Sequence, residues 1–306
     1  MNANYKKFYR NFYLKTGGFL PAKPLNQNIY PGDFFQIQNG EMILLGNIFR
    51  AQIVDPGVCR FDYGARLNPF AWTSQSGVTR PYTGREKRFD TLGGESEYHK
   101  QVISFADFGD FLFKGSEPES VKIINWSDIQ LQLIIKLTQT YYSFREVYVV
   151  TESASCMDWT LAISGGINAE LEIITDEEGA ALMDVFGQPG ASTLLAKDLE
   201  YYHRESKRKP VFFKAKKLIV QDEKLSIFMS ELTGSRQLQQ EWARGFYQYE
   251  FHYDEDYVPE IQHQAQTSLL DMLRTSELNP NTALQYFAWR EANLDDIEKL
   301  FTPYGN

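Results

Sequence analysis

The chain has 306 residues and a formal net charge of −9, with 43% apolar and 15% aromatic residues. That much apolar material supports one large domain or two small ones and excludes a wholly disordered chain. No run approaches the roughly 20 apolar residues of a transmembrane helix, and the basic N-terminus lacks the apolar core of a signal peptide. Cys59 and Cys156 lie far apart and read as free buried thiols, so a cytoplasmic setting is expected. The charge is uneven. Residues 250–306 hold eleven acids against three bases, whereas the first 249 residues are nearly balanced. Such a tail has the character of a removable cover, or of an ordinary acidic helical appendage.

Residues 4–15 open the chain as a helix. Tyr5, Phe8, Tyr9, Phe12 and Tyr13 fall on one face, flanked by Lys6, Lys7, Arg10 and Lys15. Aromatics beside bases suit a helix lying on an anionic membrane. The same face can pack on a sheet, and that is the expectation for the resting protein. Gly17-Gly18 ends the helix. After a proline-rich loop, Asn39-Gly40 between Phe34–Ile37 and Met42–Leu45 predicts a hairpin. Residues 55–100 show no alternation and read as irregular, and Val102–Phe113 is ambiguous in type.

Ile129, Leu133, Ile134, Leu137 and Tyr141 recur at helical steps, predicting a helix over Ser127–Tyr142 capped by Ser127-Asp128. Val147–Thr151 is the strongest strand signal in the chain. Trp159, Leu161 and Ile163 alternate with Thr160, Ala162 and Ser164. After a Gly165-Gly166 turn, Ala169, Leu171 and Ile173 alternate with Asn168, Glu170 and Glu172, so both strands are expected to have one apolar and one polar face. Ala180–Phe186 reads as a short helix. The run Tyr201–Lys209, with Arg204, Lys207, Arg208 and Lys209, reads as a solvated loop or helix end, or as a patch for anionic headgroups. Pro210–Val220 is a further strand. Ser230–Arg244 is polar and is the candidate connection between a body at 1–233 and an acidic helical segment at 234–306. Arg236 and Arg244 are candidate cleavage positions there. Helices are predicted over Pro259–Thr275 and Thr282–Ala292, the latter with Leu284, Phe287 and Ala288 on one side. Asn293 caps a last turn containing Asp295 and Asp296.

Helix, a strand ending Val-Val-Thr-Glu, two amphipathic strands, a charged connection and a strand with Val-Phe-Phe follow in an order that resembles the pore-forming domain of the gasdermins, bacterial members above all. Glu146–Glu152 and Lys209–Lys214 are the closest matches, and the resemblance extends over about residues 1–225. It implies an α+β body, a twisted and mostly antiparallel sheet with flanking helices, covered by a short helical C-terminal segment. It further implies that a caspase-like protease removes the segment. The body then binds the anionic inner membrane of its own cell and self-oligomerises, and its strands form β-barrel pores in antiphage defence. On that reading Trp159, Leu161, Ile163, Ala169, Leu171 and Ile173 are candidate membrane-spanning positions, and part of residues 55–100 is a hairpin precursor. Two features depart from the family. Met1–Asn4 holds no cysteine to carry a lipid chain, and residues 245–306 are longer than the usual inhibitory segment.

No enzyme is expected. His99, His203, His252 and His263 sit in no H-E-x-x-H, no G-x-S-x-G is present, and there is no P-loop. His252-Tyr-Asp254-Glu255-Asp256 lacks the spacing of a calcium loop. No cofactor, metal or nucleic-acid partner is expected. The alternative reading is a non-enzymatic structural or injection-related subunit whose C-terminal helices dock a partner, and a hydrolase or nucleotide-binding enzyme stands third.

Overall fold

In the computed structural model, the residues described are 3–89, 95–139, 147–176, 184–188, 190–221 and 280–301, with 224, 226, 227, 230 and 234 as single positions. Helix α1 (Ala3–Thr16) opens the chain. Gly17 and Gly18 end it at φ of +71° and +100°, a conformation that a Cβ would penalise. Strands β1 (Leu20–Pro21), β2 (Asp33–Gln38) and β3 (Glu41–Asn47) follow. Asn39 and Gly40 both take positive φ, so β2 and β3 form the expected hairpin.

The region that reads as irregular is instead rich in strands. It contains β4 (Phe61–Arg66), β5 (Ala71–Ser76), β6 (Val78–Phe89) and β7 (Glu95–Phe105). Most β6 side chains described are exposed, so the apolar alternation that marks a half-buried strand is missing. The ladder to β7 fixes the conformation instead. The ambiguous stretch is two strands, β7 and β8 (Phe111–Ser116), parted by a turn in which the Asp107 N–H donates to the Asp110 carboxylate at 2.8 Å. β9 (Glu119–Ile123) and helix α2 (Trp126–Gln139) come next. α2 starts one residue ahead of the expected cap, and the Asp128 carboxylate accepts from the Asn125 side chain at 3.0 Å.

Then come β10 (Val147–Cys156), β11 (Trp159–Ser164), β12 (Ala169–Thr175), β13 (Ser192–Lys197), β14 (Leu199–Glu205) and β15 (Lys209–Val220). The basic run is therefore strand β14 and the turn into β15, not a loop or helix end. Asp184–Phe186, expected in a helix, is not helical. Helix α3 (Pro280–Tyr286), strand β16 (Phe287–Glu291) and helix α4 (Leu294–Lys299) complete the described chain.

The fold is α+β, with three sheets whose strand pairs are antiparallel. The largest runs β1-β15-β10-β2-β3, with β16 added on β15, β9 on β10 and β4 on β9. The others run β14-β11-β8-β5 and β13-β12-β7-β6. The second sheet lies between two cores. Trp159, Leu161 and Ile163 face the aromatic core beneath α1, while Ala162 faces Leu171 and Ile173 of the third sheet. All six residues of β11 are buried as a result, and the expected polar face does not exist. Ser164 is satisfied internally, its hydroxyl lying within hydrogen-bond reach of the carbonyls of both Asp107 and Gly166. β12 keeps the expected alternation, with Ala169, Leu171 and Ile173 inward and Glu170 and Glu172 on the other face.

Candidate functional site

The aromatic face of α1 points into the main core. Phe8, Tyr9 and Phe12 are fully buried against Trp72, Phe111, Phe113 and Phe212. Tyr9 donates to the Ala22 carbonyl at 2.6 Å, and burial raises its pKa well above the ordinary phenol value. Tyr5 and Tyr13 lie at the margin. Tyr5 meets Tyr201 edge to face at 5.9 Å, and burial, then the neighbouring Tyr5, pushes the Tyr201 hydroxyl up to about 12.

The C-terminal segment seats beside this helix. The sequence favours a helix over Thr282–Ala292, but helix α3 ends at Tyr286 and residues 287–291 form β16. The open edge of β15 decides this. Five residues pair antiparallel, from Val220↔Phe287 to Lys216↔Glu291. Cross-strand hydrogen bonds outweigh the helix propensity of this tract, which is modest for Phe and Trp but high for Ala, Arg and Glu. The Ala292 N–H then donates to the Ala215 carbonyl at 2.8 Å. Asn293 caps α4 as expected, in a capping box closed by Asp296.

From this short helix Ile297, Leu300 and Phe301 enter the core that holds α1. Full burial of such side chains is worth about 1.5–3 kcal/mol each, as an upper bound. The ring of Phe301 lies edge-on to Tyr9 at 5.0 Å. Lys23 sits over the same ring at 4.7 Å and donates to the carbonyls of Gly40, at 2.6 Å, and Leu300. Tyr13 donates to the Ala292 carbonyl at 3.3 Å. Lys6 pairs with Glu298 at 3.4 Å, an exposed contact, and Lys216 pairs with Glu291.

Asp296 is the polar centre of the interface. It is 1% exposed. Its carboxylate accepts from Tyr148 Oη at 2.8 Å, from both Arg290 terminal nitrogens at 2.7 and 2.9 Å, and from the Asn293 N–H at 2.8 Å. Lys217 Nζ lies 3.3 Å away. Burial alone would raise the Asp296 pKa, but these donors, Arg290 foremost, outweigh it and hold the carboxyl below the usual range. Tyr148 and Lys217 belong to the central strands β10 and β15, and Arg290 and Asn293 to the segment. One buried carboxylate thus ties the two together.

Most of the other candidate bases are engaged within the body. Arg204 donates to the Ala191 carbonyl at 3.0 Å. Arg208 reaches the Glu119 carboxylate and the Glu117 carbonyl, each at 3.1 Å, and Lys209 pairs with Glu205. Lys207 is exposed. Lys7 pairs with Asp110 at 3.3 Å, and Arg10 is exposed beside Lys6. Of the candidate membrane-spanning positions, all six are buried. Arg236, Arg244 and the helix expected over Pro259–Thr275 lie outside the described residues.

Sequence reasoning missed the roles of Lys23, Tyr148, Lys217 and Arg290. The capping pattern Asn293-x-x-Asp296 was visible, but nothing local reveals that its carboxylate also meets two residues from distant strands. Among the described residues, no group of three His, Cys, Asp or Glu is placed to hold a metal ion, and no helix is long and apolar enough to cross a membrane.

No family model matches the chain, and no curated protein matches it. Among solved structures the chain is similar to a bacterial gasdermin from Bradyrhizobium tropiciagri. The two are 10% identical with a TM-score of 0.28, over 66% of this chain and 81% of that one. This is a distant likeness.

Proposed function

We propose that the chain is an autoinhibited pore-forming protein of gasdermin type. The observation that carries the reading is the seating of the acidic C-terminal segment against α1, the helix whose aromatics and bases suit an anionic bilayer. While seated, its acids Glu298, Glu291 and Asp296 occupy Lys6, Lys216 and Lys217. Proteolytic removal of the segment uncovers those cations, Tyr9 and Tyr13. The body then binds anionic lipid, oligomerises and extends strands into a closed barrel, the arrangement that leaves no backbone group of a spanning sheet unpaired. Strands β6 and β7, at 12 and 11 residues, have the length of about 9–11 residues that a spanning strand needs. The buried positions of β11 would first have to leave two cores, whereas β6 is mostly exposed and β7 buries one face, with Ile103 and Phe105 in a single core, so the β6–β7 pair is the more accessible starting point. The activating protease is of caspase type by resemblance, the setting is the cytoplasm and then the inner membrane, and the role is death of the infected cell.

Dye release from anionic-lipid vesicles tests this. Residues 1–240 are expected to release dye and residues 1–306 to retain it. Retention by both, with the shorter chain folded by circular dichroism, rejects the pore reading and favours a structural subunit.

A further inference from the structure

A cleft of about 540 Å³ is lined by residues other than those that hold the C-terminal segment. Its charged lining is Lys114 of β8, Arg204 of β14 and Asp158 of the β10–β11 turn, with Ser116, Met157 and Gly187 beside them. Strand register sets the geometry. Lys114 and Arg204 both pair with Thr160 of β11, from opposite sides. Residues paired directly across strands project to the same face of a sheet. The two cations therefore flank one point of the second sheet, their Cα atoms about 10 Å apart at two strand spacings. Two residues along, Leu112 and Ala162 on the same face join the core shared with the third sheet, so the cleft begins where that core ends. Its wall is the loop Asp184–Gln188, held by Arg80 on Asp184 at 3.0 Å and by Val185 and Phe186 in that core. Gly187 takes a φ of +77°, and a Cβ there would come within 3.1 Å of Lys114 Cδ, so glycine lets the loop close on the lysine stem.

Lys114 Nζ donates to the Phe186 carbonyl at 3.1 Å, and Arg204 donates to the Ala191 carbonyl at 3.0 Å. Among the described residues neither forms an ion pair or a further side-chain hydrogen bond. Most of their N–H donors are therefore unused. The neighbouring cations differ, since Arg80 has Asp184 and Lys209 has Glu205. Partly burying a cation without a counter-charge costs free energy, and an anionic ligand offsets that cost. We propose that this cleft binds a small phosphomonoester whose other end carries hydroxyl groups. Arg204 offers phosphate a planar fork of donors and Lys114 a point charge. Asp158 accepts from the Ser116 hydroxyl and keeps lone pairs for a hydroxyl of the ligand. Its charge disfavours a bare anion, so it selects a molecule that also brings donors. The volume falls within the roughly 300–1,000 Å³ of small-molecule sites. The assignment is independent of the pore reading, because it concerns the intact chain and uses none of the segment's contacts.

The test is calorimetric titration of the full chain, at low salt and without lipid, with glycerol 3-phosphate and with inorganic phosphate. Glycerol 3-phosphate is expected to bind, and R204Q and K114Q are each expected to weaken it at least about tenfold. R208Q, whose side chain meets Glu117 and Glu119 instead, is expected to keep the wild-type affinity. D158A is expected to weaken glycerol 3-phosphate while leaving inorganic phosphate equal or tighter. Where a variant does not fold, the wild-type chain decides: acetylation of Lys114 by acetic anhydride, mapped by mass spectrometry, is expected to slow in the presence of glycerol 3-phosphate. No binding up to about 10 mM, equal affinity in wild type, R204Q and K114Q, or Lys114 labelling that ignores the ligand overturns the proposal. Co-sedimentation of the full chain with phosphatidic-acid vesicles separates a free ligand from a phosphate fixed in a bilayer. Binding to the vesicles without binding of glycerol 3-phosphate would also overturn it. None of these readouts involves dye release, so failure here leaves the pore reading standing, and failure of the pore reading leaves the cleft standing.

Discussion

Two basic regions of the molecule carry similar side chains and are neutralised in different ways. The Arg204–Lys209 run meets acids and carbonyls of its own body, namely Glu117, Glu119, Glu205 and Ala191. The surface formed by Lys6, Lys23, Lys216 and Lys217 meets Glu298, the Leu300 carbonyl, Glu291 and Asp296, which lie within fifteen residues of the C-terminal segment. The first neutralisation comes from the body itself. The second lasts only while the segment is seated. Charge density alone does not distinguish a switchable patch from a fixed one, and the source of the counter-charges does.

This contrast is broken most strongly at Asp296. Asp296→Ala leaves Lys217 and Arg290 facing a vacant site, and stripping one partner from a buried ion cluster costs about 3 kcal/mol or more. Chemical denaturation of the full chain is expected to show that loss, with the amides of β16 and α4 losing hydrogen-exchange protection first. Phe301→Ala withdraws an aromatic anchor from Tyr9 and Lys23 and is expected to cost about 2 kcal/mol, below the full range for buried Phe because the ring lies near the segment's end. The same two measurements check it.

Acid provides a third route. The Asp296 pKa is held below its ordinary value, so its contribution is fully present above the unfolded value near 3.9. It is lost as pH falls through the lower folded value. Stability is therefore expected to be flat with respect to this group from neutral pH to about 5, then to drop, and D296N should flatten that drop in an acid titration followed by denaturation. A fall confined to the range between 5 and 7 would contradict the assignment.

The smallest effects are expected at the exposed pairs. Glu298→Gln removes a contact between two half-exposed side chains and should change stability by no more than about 0.5 kcal/mol. Arg208→Ala should leave the hydrogen-exchange protection of β16 and α4 unchanged, because its partners are all in the body. Loss of that protection on Arg208→Ala would join two regions that the contacts keep apart.

Local pattern determined a good part of the molecule. The spacing of Tyr5, Phe8, Tyr9 and Phe12 encodes α1, because one face of a helix repeats every 3.6 residues whatever it packs against. Asn39-Gly40 encodes its hairpin through positive φ, and Asn293 its cap through short-range hydrogen bonds. Val147–Thr151 declares a central strand because a strand buried on both faces must be apolar throughout. Other features were decided only by tertiary structure. β11 lost its expected polar face because two sheets cover it. Strand β6 carries no inward alternation and exists through its partner β7. Residues 287–291 became a strand because β15 offered an open edge. The Asp296 site is assembled from positions 148, 217, 290, 293 and 296, and no sequence period connects residues that meet only when the chain closes on itself.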